Sequence, residues 1–487
     1  MLEIAKAAIK TAGGTLIGLL LAAVATKILA ILIGPAGMGV LSIIRQLHQT
    51  LLLVCGLNGQ TAMTQGIISR PPERQPFYTA TILWILLIWS FVFVCAMFAF
   101  AAPLGRFIFA GTVSNQTLLI YCMIVPGVLA ASTSFVAGVI NAHRGIGTLA
   151  IGPVIAGLGW VAMAYPVGLW FQQGNVIAFI GLITLTSGST FLFYAWRCWK
   201  AGWLSGVWSA MQHSFDQPGA RQFLAFAASS LISGLAGMVT LLALRILISR
   251  HLGIKEAGYF DTAWTLSMMY VTVLLSSFST YYMPTLAAVA NRHQITPLIL
   301  MMVRFSLIVG VPLIVGVIAF KPLIINILYS SQFMLALPMM EWMLIGDFFK
   351  IISYIFAMTV LAFPNMKIYV LSDILWYILF FSCASVSVIV FKNLEYIGLA
   401  FLLSYVFSMI IYISYSYYAH KVTLNKKLLT YLLSGFIIVT LSSILCWNDQ
   451  NLHWSKSIII SISGIIYSCF LLEKSELYTI IQRIKEF

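Results

Sequence analysis

The stretch KILAILIGPAGMGVLSIIRQLHQTLLLV, residues 27–54, contains two apolar segments separated by a Gly-Pro-Ala-Gly break. With the apolar residues that flank the quoted stretch, each segment reaches the roughly 20 residues that an α-helix needs to cross a bilayer. Because glycine and proline interrupt helices, the break predicts a turn between two membrane helices. The stretch also carries Lys27 before the break, and Arg45, His48 and two glutamines after it. A charge at the centre of a membrane helix costs roughly 2.5–3.5 kcal/mol on insertion scales, which indicates that these side chains have a function.

The remainder of the chain has the same membrane character. Hydrophobic residues make up 61% of the 487 positions and charged residues 8%, whereas soluble domains average about 25% charged residues. Apolar segments separated by short polar breaks predict an all-α polytopic membrane protein with about 14 transmembrane helices. The predicted spans cover about residues 9–33, 38–61, 78–103, 116–140, 148–170, 175–196, 222–249, 257–290, 298–320, 335–362, 367–391, 396–418, 428–447 and 457–472.

Signatures of cofactor, metal and ATP sites are missing from the sequence. The seven cysteines occur without a CxxC pair, and the histidines and acidic residues lack metal-ligand or hydrolase spacing. No GxxxxGK[ST] motif is present, so ATP is not indicated as the energy source. The formal net charge of +14 first suggests a nucleic-acid partner. Basic residues, however, concentrate in loops on the same side of the membrane as both termini, which predicts cytoplasmic termini and no nucleic-acid partner.

Two similar segments predict an internal repeat. TKILAILIGPAGMGV at residues 26–40 and LRILISRHLGIKEAGYF at residues 244–260 each contain a cation, Ile-Leu and a glycine turn. The offset of about 220 residues makes Lys27 and Arg245 counterparts and favours two pseudo-symmetric six-helix lobes; the alternative is a chance similarity. A polar segment with three tryptophans separates the lobes and suits a membrane surface. The predicted segments are an N-terminal lobe (1–197), an inter-lobe linker (198–221), a C-terminal lobe (222–420), and two additional helices with a cytoplasmic tail (421–487).

Ionisable residues within the predicted spans mark candidate substrate or ion pathways. They are Lys27, Arg45, Arg245, Arg304, Lys350, Asp261, Glu341, Asp347 and Asp373. At about 1.5 Å per residue, Lys27 and Arg45 each lie roughly 10 Å below the outer surface, with Arg245 at a similar level. Three cations at one depth predict a site for a multiply charged anion, and arginine suits phosphate. The alternative is that these side chains snorkel to the headgroups, although His48 and Gln49 beside Arg45 favour a hydrated helix face.

The acidic residues have two interpretations. Asp347 and Lys350 are spaced i, i+3, so they can form a buried, self-neutralised pair on one helix face. An acid near the middle of the membrane is also the usual H⁺ or Na⁺ site of a secondary transporter. Asp261 and Asp373 share both interpretations. The candidate ion-coupling residues are therefore Asp261, Asp347 and Asp373.

Four segments carry a resemblance to a known family. They are GPAGMGVLSIIRQL (34–47), AGYFDTAWTLSMMY (257–270), SSFSTYYMPTL (276–286) and WMLIGDFFKIISYIF (342–356). These segments resemble the Wzx-type flippases of the multidrug/oligosaccharidyl-lipid/polysaccharide (MOP) exporter superfamily, which translocate undecaprenyl-pyrophosphate-linked oligosaccharides. The similarity extends over roughly residues 1–420. The most similar members are the flippases of O-antigen and enterobacterial common antigen units.

The resemblance implies a V-shaped bundle that alternates between inward-open and outward-open states around a cationic cavity. It implies export of the lipid-linked repeat unit from the cytoplasmic to the periplasmic leaflet of the bacterial inner membrane. A monomer coupled to H⁺ or Na⁺, with a polysaccharide polymerase and a chain-length regulator as partners, is expected.

Several family positions match residues of this chain. The family's basic positions match Lys27, Arg45 and Arg245, its GD..K pattern matches Gly346, Asp347 and Lys350, and an acidic position matches Asp373. With the polar residues of the spans, the candidate substrate-binding residues are Lys27, Arg45, Arg245, His48, Gln49, Arg304 and Lys350. Relatives can carry an acid where Met268 stands, two turns after Asp261, and this departure leaves the coupling ion open.

Two other functions are compatible with a polytopic membrane protein. A cation-coupled multidrug exporter of the same superfamily prefers an acidic site, whereas cations outnumber acids in the spans of the first half. A membrane enzyme such as an O-antigen polymerase typically carries catalytic groups on large outer loops. The longest predicted outer loop here, around residues 105–115, is short. The sequence therefore favours a transporter of an anionic, lipid-linked substrate.

Overall fold

The computed structural model describes residues 2–109, 111–213, 215–287, 295–362, 366–422, 426–447 and 449–472. All regular secondary structure in these residues is helical. The α-helices are α1 (Leu2–Cys55), α2 (Gln60–Ile68), α3 (Gln75–Phe109), α4 (Gln116–Cys122), α5 (Ile124–Ala142), α6 (Ile146–Gln172), α7 (Ile177–Lys200), α8 (Val207–His213), α9 (Gln217–His251), α10 (Ile254–Ala287), α11 (Ile295–Leu328), α12 (Leu337–Ala362), α13 (Met366–Ile389), α14 (Glu395–His420), α15 (Lys426–Leu445) and α16 (Trp454–Leu471). Short 3₁₀ helices cover Pro72–Arg74 and Ser331–Ala336.

Helices that could cross a membrane occur along the whole described chain. Twelve segments of the described residues are long and apolar enough to cross a bilayer. The first of them, Leu16–Ile68, overlaps two of the predicted spans. The 34-residue helix α10 covers one more up to residue 287, and residues 288–290 of that predicted span lie outside the described residues. The predicted spans therefore coincide with helical residues, although 116–140 comprises both α4 and α5. The prediction of an all-α polytopic membrane protein is confirmed.

The chain packs as two compact units, Met1–Gly258 and Tyr259–Phe487. The first unit contains α1 to α9 and the start of α10, and the second contains the rest of α10 and α11 to α16. Helix α9 thus packs with the helices of the predicted N-terminal lobe. The four segments predicted from the sequence, with boundaries at residues 197, 221 and 420, stay a prediction.

Helix α1 consists of two arms joined at Gly34. This residue has φ 58° and ψ −171°, which is outside the helical region, and Pro35 begins the second arm. A positive φ at this point favours glycine, since a Cβ atom there meets the backbone. The first arm runs parallel to α6, because Gly18 packs against Pro153 and Gln172 Nε2 donates to the Leu32 carbonyl at 2.8 Å.

The second arm of α1 runs in the opposite direction from the first. The chain that continues from this arm through Gly56 into α2 runs parallel to α5, because Gly56 packs on Ser134 and Thr64 Oγ1 in α2 donates to the Gly138 carbonyl at 3.3 Å. Helix α5 is joined to α6 by the short loop 143–145, and such a short connection makes the two helices antiparallel. The chain therefore reverses at Gly34, as the Gly-Pro-Ala-Gly break predicts.

Two glycines allow the turn of α1 to pack closely on the start of α10. A Cβ atom at Gly39 would collide with the Ile254 carbonyl oxygen, and one at Gly258 would collide with the Pro35 carbonyl oxygen. Gly39 belongs to the first copy of the proposed repeat and Gly258 to the second. The two copies of the proposed repeat therefore contact each other within the first unit.

The second unit contains the last two described helices as integral parts. Helix α16 runs antiparallel to α11: Ser457 Oγ donates to the Ala319 carbonyl and Ser468 Oγ to the Ile308 carbonyl, both at 2.7 Å. Gly464, between these serines, packs on Pro312. Small residues allow helix backbones to approach closely in a membrane. Helix α16 is thus packed along α11, and Gly435 of α15 contacts Leu307 of the same helix.

A buried ion pair also connects these helices. Lys321 in α11 donates to Glu341 in α12, and both side chains are fully buried. Lys321 also donates to the Cys446 carbonyl at 2.7 Å, just after α15. Because each charge is neutralised by its partner, the pair holds three helices together inside an apolar unit.

Candidate substrate and ion sites

Arg245 is the most buried of the three cations predicted to bind an anion. Its side chain in α9 is 3% exposed. The guanidinium Nη1 donates to Gln46 Oε1 at 3.1 Å and contacts the Leu241 carbonyl at 3.4 Å. A buried arginine with structured hydrogen bonds is held in one orientation. Snorkelling to the headgroups is therefore not the arrangement that this side chain adopts.

The packing of α9 against the second arm of α1 explains this position. The two helices are antiparallel, since Gln46 Nε2 donates to the Met238 carbonyl at 3.3 Å and Leu53, further along α1, packs on Gly234, earlier in α9. Gln46 directly follows Arg45 on the helix. The structure thus brings Arg245 next to the residue that adjoins Arg45, from 199 positions away in sequence.

Lys27 and Arg45 lie on the two arms of α1, and both side chains are half-buried. Lys27 is seven residues before Gly34, and Arg45 is ten residues after Pro35. At about 1.5 Å per residue these positions lie about 10 Å and about 15 Å from the turn along their arms. The two distances differ by about one helical turn, and a common depth of these cations in the membrane stays a prediction.

The neighbours of Arg45 differ in exposure. His48 is half-buried, and among the described residues its Nδ1 has no hydrogen-bond partner. Gln49 is exposed. The second arm of α1 therefore presents both a buried polar edge, with Gln46 and His48, and an exposed one.

Arg304, another candidate substrate-binding residue, lies in the second unit. Its Nε donates to the Leu471 carbonyl at 2.8 Å, in the last turn of α16. Carbonyl groups at a helix C-terminus lack intrahelical partners, and a cation is favourable there. Arg304 therefore fastens α16 to α11. The sequence did not predict this contact because Arg304 and Leu471 are 167 positions apart.

Asp347 in α12 is fully buried and has an organised set of donors. Ser267 Oγ lies 2.9 Å from each carboxylate oxygen, and the Tyr270 hydroxyl donates to Oδ2 at 2.5 Å. Ser267 and Tyr270 are spaced i, i+3 on α10 and so face the same neighbour. The sequence contained this signal in AGYFDTAWTLSMMY, yet nothing in that segment specified its partner.

Lys350 does not use Asp347 as its hydrogen-bond partner. Its Nζ donates to Met268 Sδ at 2.9 Å and lies 5.9 Å and 5.6 Å from the ring centroids of Phe401 and Tyr405. The i, i+3 spacing therefore places the two side chains on one face of α12 without a direct ion pair. A carboxylate in place of Met268 would therefore lie beside the Lys350 ammonium group.

The remaining acids differ in their surroundings. Asp261 in α10 is 1% exposed, whereas Asp373 in α13 is half-buried and lines a cavity with Lys350. No group of His, Cys, Asp and Glu suited to a metal ion occurs within the described residues. The first unit therefore contains the cationic candidates Lys27, Arg45 and Arg245, and the second contains the acids with Arg304 and Lys350.

Comparison with known proteins places this arrangement in a family. A family model described as "Polysaccharide biosynthesis protein" matches residues 28–338, which include the end of the first arm of α1, its second arm and helices α2 to α11. The chain belongs to the polysaccharide biosynthesis protein family. Among curated relatives of this family member, Lipid III flippase of Escherichia coli K12 is 24% identical over 381 residues, covering 77% of this chain and 88% of the relative. Lipid III flippase of Shigella flexneri gives the same values.

Solved structures agree with the fold of this polysaccharide biosynthesis family member. Lipid II flippase MurJ in an inward closed conformation has a TM-score of 0.70 at 14% identity, covering 96% of this chain and 97% of that chain. An inward-facing multidrug resistance MATE transporter of the MOP superfamily has a TM-score of 0.67 at 12% identity, covering 87% and 95%. The chain therefore shares its fold with a lipid flippase and with a transporter of the MOP superfamily. Because these relatives and structural neighbours are transporters, the prediction of a transporter rather than an enzyme is confirmed as well.

Proposed function

We propose that the protein is a flippase for an undecaprenyl-pyrophosphate-linked oligosaccharide, which it moves from the cytoplasmic to the periplasmic leaflet of the bacterial inner membrane. The repeat unit then serves the synthesis of a surface polysaccharide such as O-antigen. The similarity to two Lipid III flippases over most of the chain supports the substrate class. Cytoplasmic termini, a monomeric protein, and a polymerase and chain-length regulator as partners belong to the same proposal.

The buried guanidinium of Arg245 is the observation that supports this function most directly. A lipid diphosphate crosses a bilayer slowly because its charges lose their water of hydration. Arginine replaces that water with a fork of charged donors that matches phosphate geometry. Gln46 orients Arg245, and Arg45 and Lys27 supply further positive charge on the two arms of α1. His48, on the buried polar edge of this arm, and the exposed Gln49 are the further proposed contacts of the diphosphate and its first sugar.

Coupling to an H⁺ or Na⁺ gradient is assigned to the acids of the second unit. Asp347 is the preferred residue, since Ser267 and Tyr270 organise both of its oxygens. Asp261 and Asp373 are the other candidates. Protonation or ion binding at a buried carboxylate changes the local charge by one unit, which is sufficient to bias two conformations of a carrier under alternating access.

A binding experiment tests the diphosphate site. The full-length protein in lipid nanodiscs is titrated with undecaprenyl pyrophosphate, and undecaprenol serves as the uncharged control ligand. Arg45→Ala and Arg245→Ala should each weaken diphosphate binding at least about tenfold, as expected for loss of a charge-assisted hydrogen bond. Arg74→Ala, at an exposed position of a 3₁₀ helix, is the matched control. Equal binding of the alcohol, or binding of tetraphenylphosphonium in place of the diphosphate, contradicts the proposal and favours a multidrug exporter.

A genetic experiment tests the glycan pathway. Expression in flippase-null strains that make different repeat units should restore surface polysaccharide in at least one strain. Restoration in no strain, together with polymerised glycan formed by the purified protein, would favour an enzyme instead.

A further inference from the structure

The second unit contains a cavity of about 160 Å³ between α10, α12, α13 and α14. Aromatic side chains form most of its polar wall: five tyrosines and one tryptophan. They are Tyr354, Tyr369, Tyr377, Tyr405, Tyr412 and Trp376. Pockets for drug-sized ligands are larger, about 300–1,000 Å³. The cavity therefore suits a single small ring rather than an extended molecule.

Trp376 is held rigidly in this wall. Its ring stacks on Phe380 at a centroid distance of 5.2 Å and packs on Tyr405 at 4.9 Å. The side chain is 8% exposed, and within the described part of the chain its indole Nε1 has no hydrogen-bond partner. A buried indole N–H normally has an acceptor. The unsatisfied donor indicates that a ligand with an acceptor oxygen completes the site.

Charges of both signs line the same cavity. Lys350 contributes an ammonium group, Asp373 contributes a carboxylate, and Ser353 and Ser408 contribute hydroxyls that lie 3.3 Å apart. Lys350 already occupies the position of a cation beside the Tyr405 ring, so a second cation would be repelled. An anion would meet Asp373, and an acyl chain would leave these polar groups without partners.

A neutral sugar ring satisfies all of these groups. Its hydroxyls donate to a carboxylate and accept from an ammonium or an indole N–H. Its C–H faces are apolar and pack on aromatic rings. We propose that the cavity lined by Lys350, Asp373 and Trp376 binds one neutral monosaccharide ring of the transported glycan. The assignment rests on the proposed flippase function and adds to it a glycan-recognition site in the second unit.

The location fits a site that is occupied during loading. Lys350 and Ser353 lie in the second half of α12, and Asp373 and Trp376 lie in the first half of α13. Under the proposed topology, α12 ends and α13 begins at the cytoplasmic side. The lipid-linked substrate is made on that side, so its sugars meet the cavity before translocation.

Saturation-transfer-difference NMR tests the proposal with soluble probes. The full-length protein in nanodiscs is titrated with the methyl glycosides of glucose, galactose, rhamnose and N-acetylglucosamine. At least one glycoside should receive saturation from the protein and show saturable binding. Asp373→Asn and Trp376→Phe should each weaken that binding about fivefold or more, since each removes a hydrogen-bonding group.

Matched controls lie elsewhere in the second unit. Asp449→Asn removes a carboxylate that pairs with Lys456 at 2.6 Å, and Trp447→Phe removes an indole that packs on Trp342. Both positions lie outside the cavity lining, and both variants should bind the glycoside within about twofold of the wild type. Using two cavity variants keeps the test informative if one of them fails to fold.

Three results would overturn the proposal: no saturation transfer to any glycoside, equal binding by the cavity variants, or displacement of the glycoside by Na⁺ or tetramethylammonium. The diphosphate titration separates this failure from failure of the proposed function. If undecaprenyl pyrophosphate still binds and depends on Arg45, only the sugar site is wrong. If the diphosphate does not bind either, the flippase proposal fails with it.

Discussion

The Arg245 guanidinium donates a hydrogen bond to the Gln46 side-chain carbonyl at 3.1 Å, across 199 positions of sequence. Both residues are buried, with Arg245 on α9 and Gln46 on the second arm of α1. Hydrogen bonds to charged groups are among the stronger ones, at about 1.5–3 kcal/mol. This contact therefore joins the two helices that carry Arg45 and Arg245 and sets the orientation of a cation proposed to bind diphosphate.

A double-mutant cycle measures this contact. Gln46→Ala and Arg245→Ala should show a coupling free energy of about 1.5–3 kcal/mol in reversible unfolding of the purified protein by sodium dodecyl sulfate. The corresponding cycle with Gln49→Ala, at the exposed position on the same arm, should show coupling near zero. Equal coupling in both cycles would mean that the hydrogen bond to Gln46 is not responsible.

The reversal of α1 depends on the backbone of Gly34. Gly34→Ala should lower the free energy of unfolding by about 1–2 kcal/mol, because an alanine at φ 58° brings its Cβ against the backbone. Gly147→Ala, in an ordinary helical position of α6 with open space around it, is the matched control. It should be neutral or stabilising by up to about 1 kcal/mol. Similar destabilisation by both substitutions would contradict the assignment of strain to Gly34.

The buried pair of Lys321 and Glu341 should be sensitive to removal of one partner. Glu341→Gln leaves the Lys321 ammonium buried without its counter-charge, and a loss of about 3–5 kcal/mol in the free energy of unfolding is expected. The double variant Lys321→Met with Glu341→Leu removes both charges and should recover most of that loss. A double variant as unstable as the single one would show that the pair contributes through shape rather than charge.

Asp347 is predicted to respond to an ion gradient. In proteoliposomes, wild-type flipping of the lipid diphosphate should change when an H⁺ or Na⁺ gradient is imposed, and flipping by Asp347→Asn should not. Tyr270→Phe removes only one donor to the carboxylate, so it should weaken the gradient response without abolishing it. Asp449→Asn is the control acid. A full gradient response in Asp347→Asn would exclude this residue as the coupling site.

Met268 gives a gain-of-interaction test. Met268→Glu introduces a carboxylate on the turn of α10 that faces Lys350, whose Nζ now contacts Met268 Sδ at 2.9 Å. The new ion pair should raise the unfolding temperature by a few degrees, since it satisfies a buried ammonium. The increase should disappear in a Lys350→Met background. An equal increase in both backgrounds would show that the glutamate acts through another contact.

The membrane character of the chain, its helices and the turn at Gly34 could all be predicted from the sequence. Each is a local property: a span needs only enough consecutive apolar residues to cross the bilayer, and a turn needs only glycine and proline at one point. The positions of Lys27, Arg45 and Arg245 within spans could be predicted for the same reason. These cations are candidates for an anion site because a charge inside a membrane is costly. That cost can be read from the sequence without knowing which residues each cation contacts.

Which side chains meet was decided by tertiary structure. The spacing of Asp347 and Lys350 allowed an ion pair on one helix, but helix packing gave Asp347 the hydroxyls of Ser267 and Tyr270 and gave Lys350 the sulfur of Met268. Contacts of this kind join residues about 80 positions apart, and those of Arg245 and Gln46 join residues 199 apart. Hydrophobic length and turn chemistry act along the chain and can be read from it. Hydrogen-bond partners in a membrane bundle depend on which helix faces are pressed together, and that is a property of the folded protein alone.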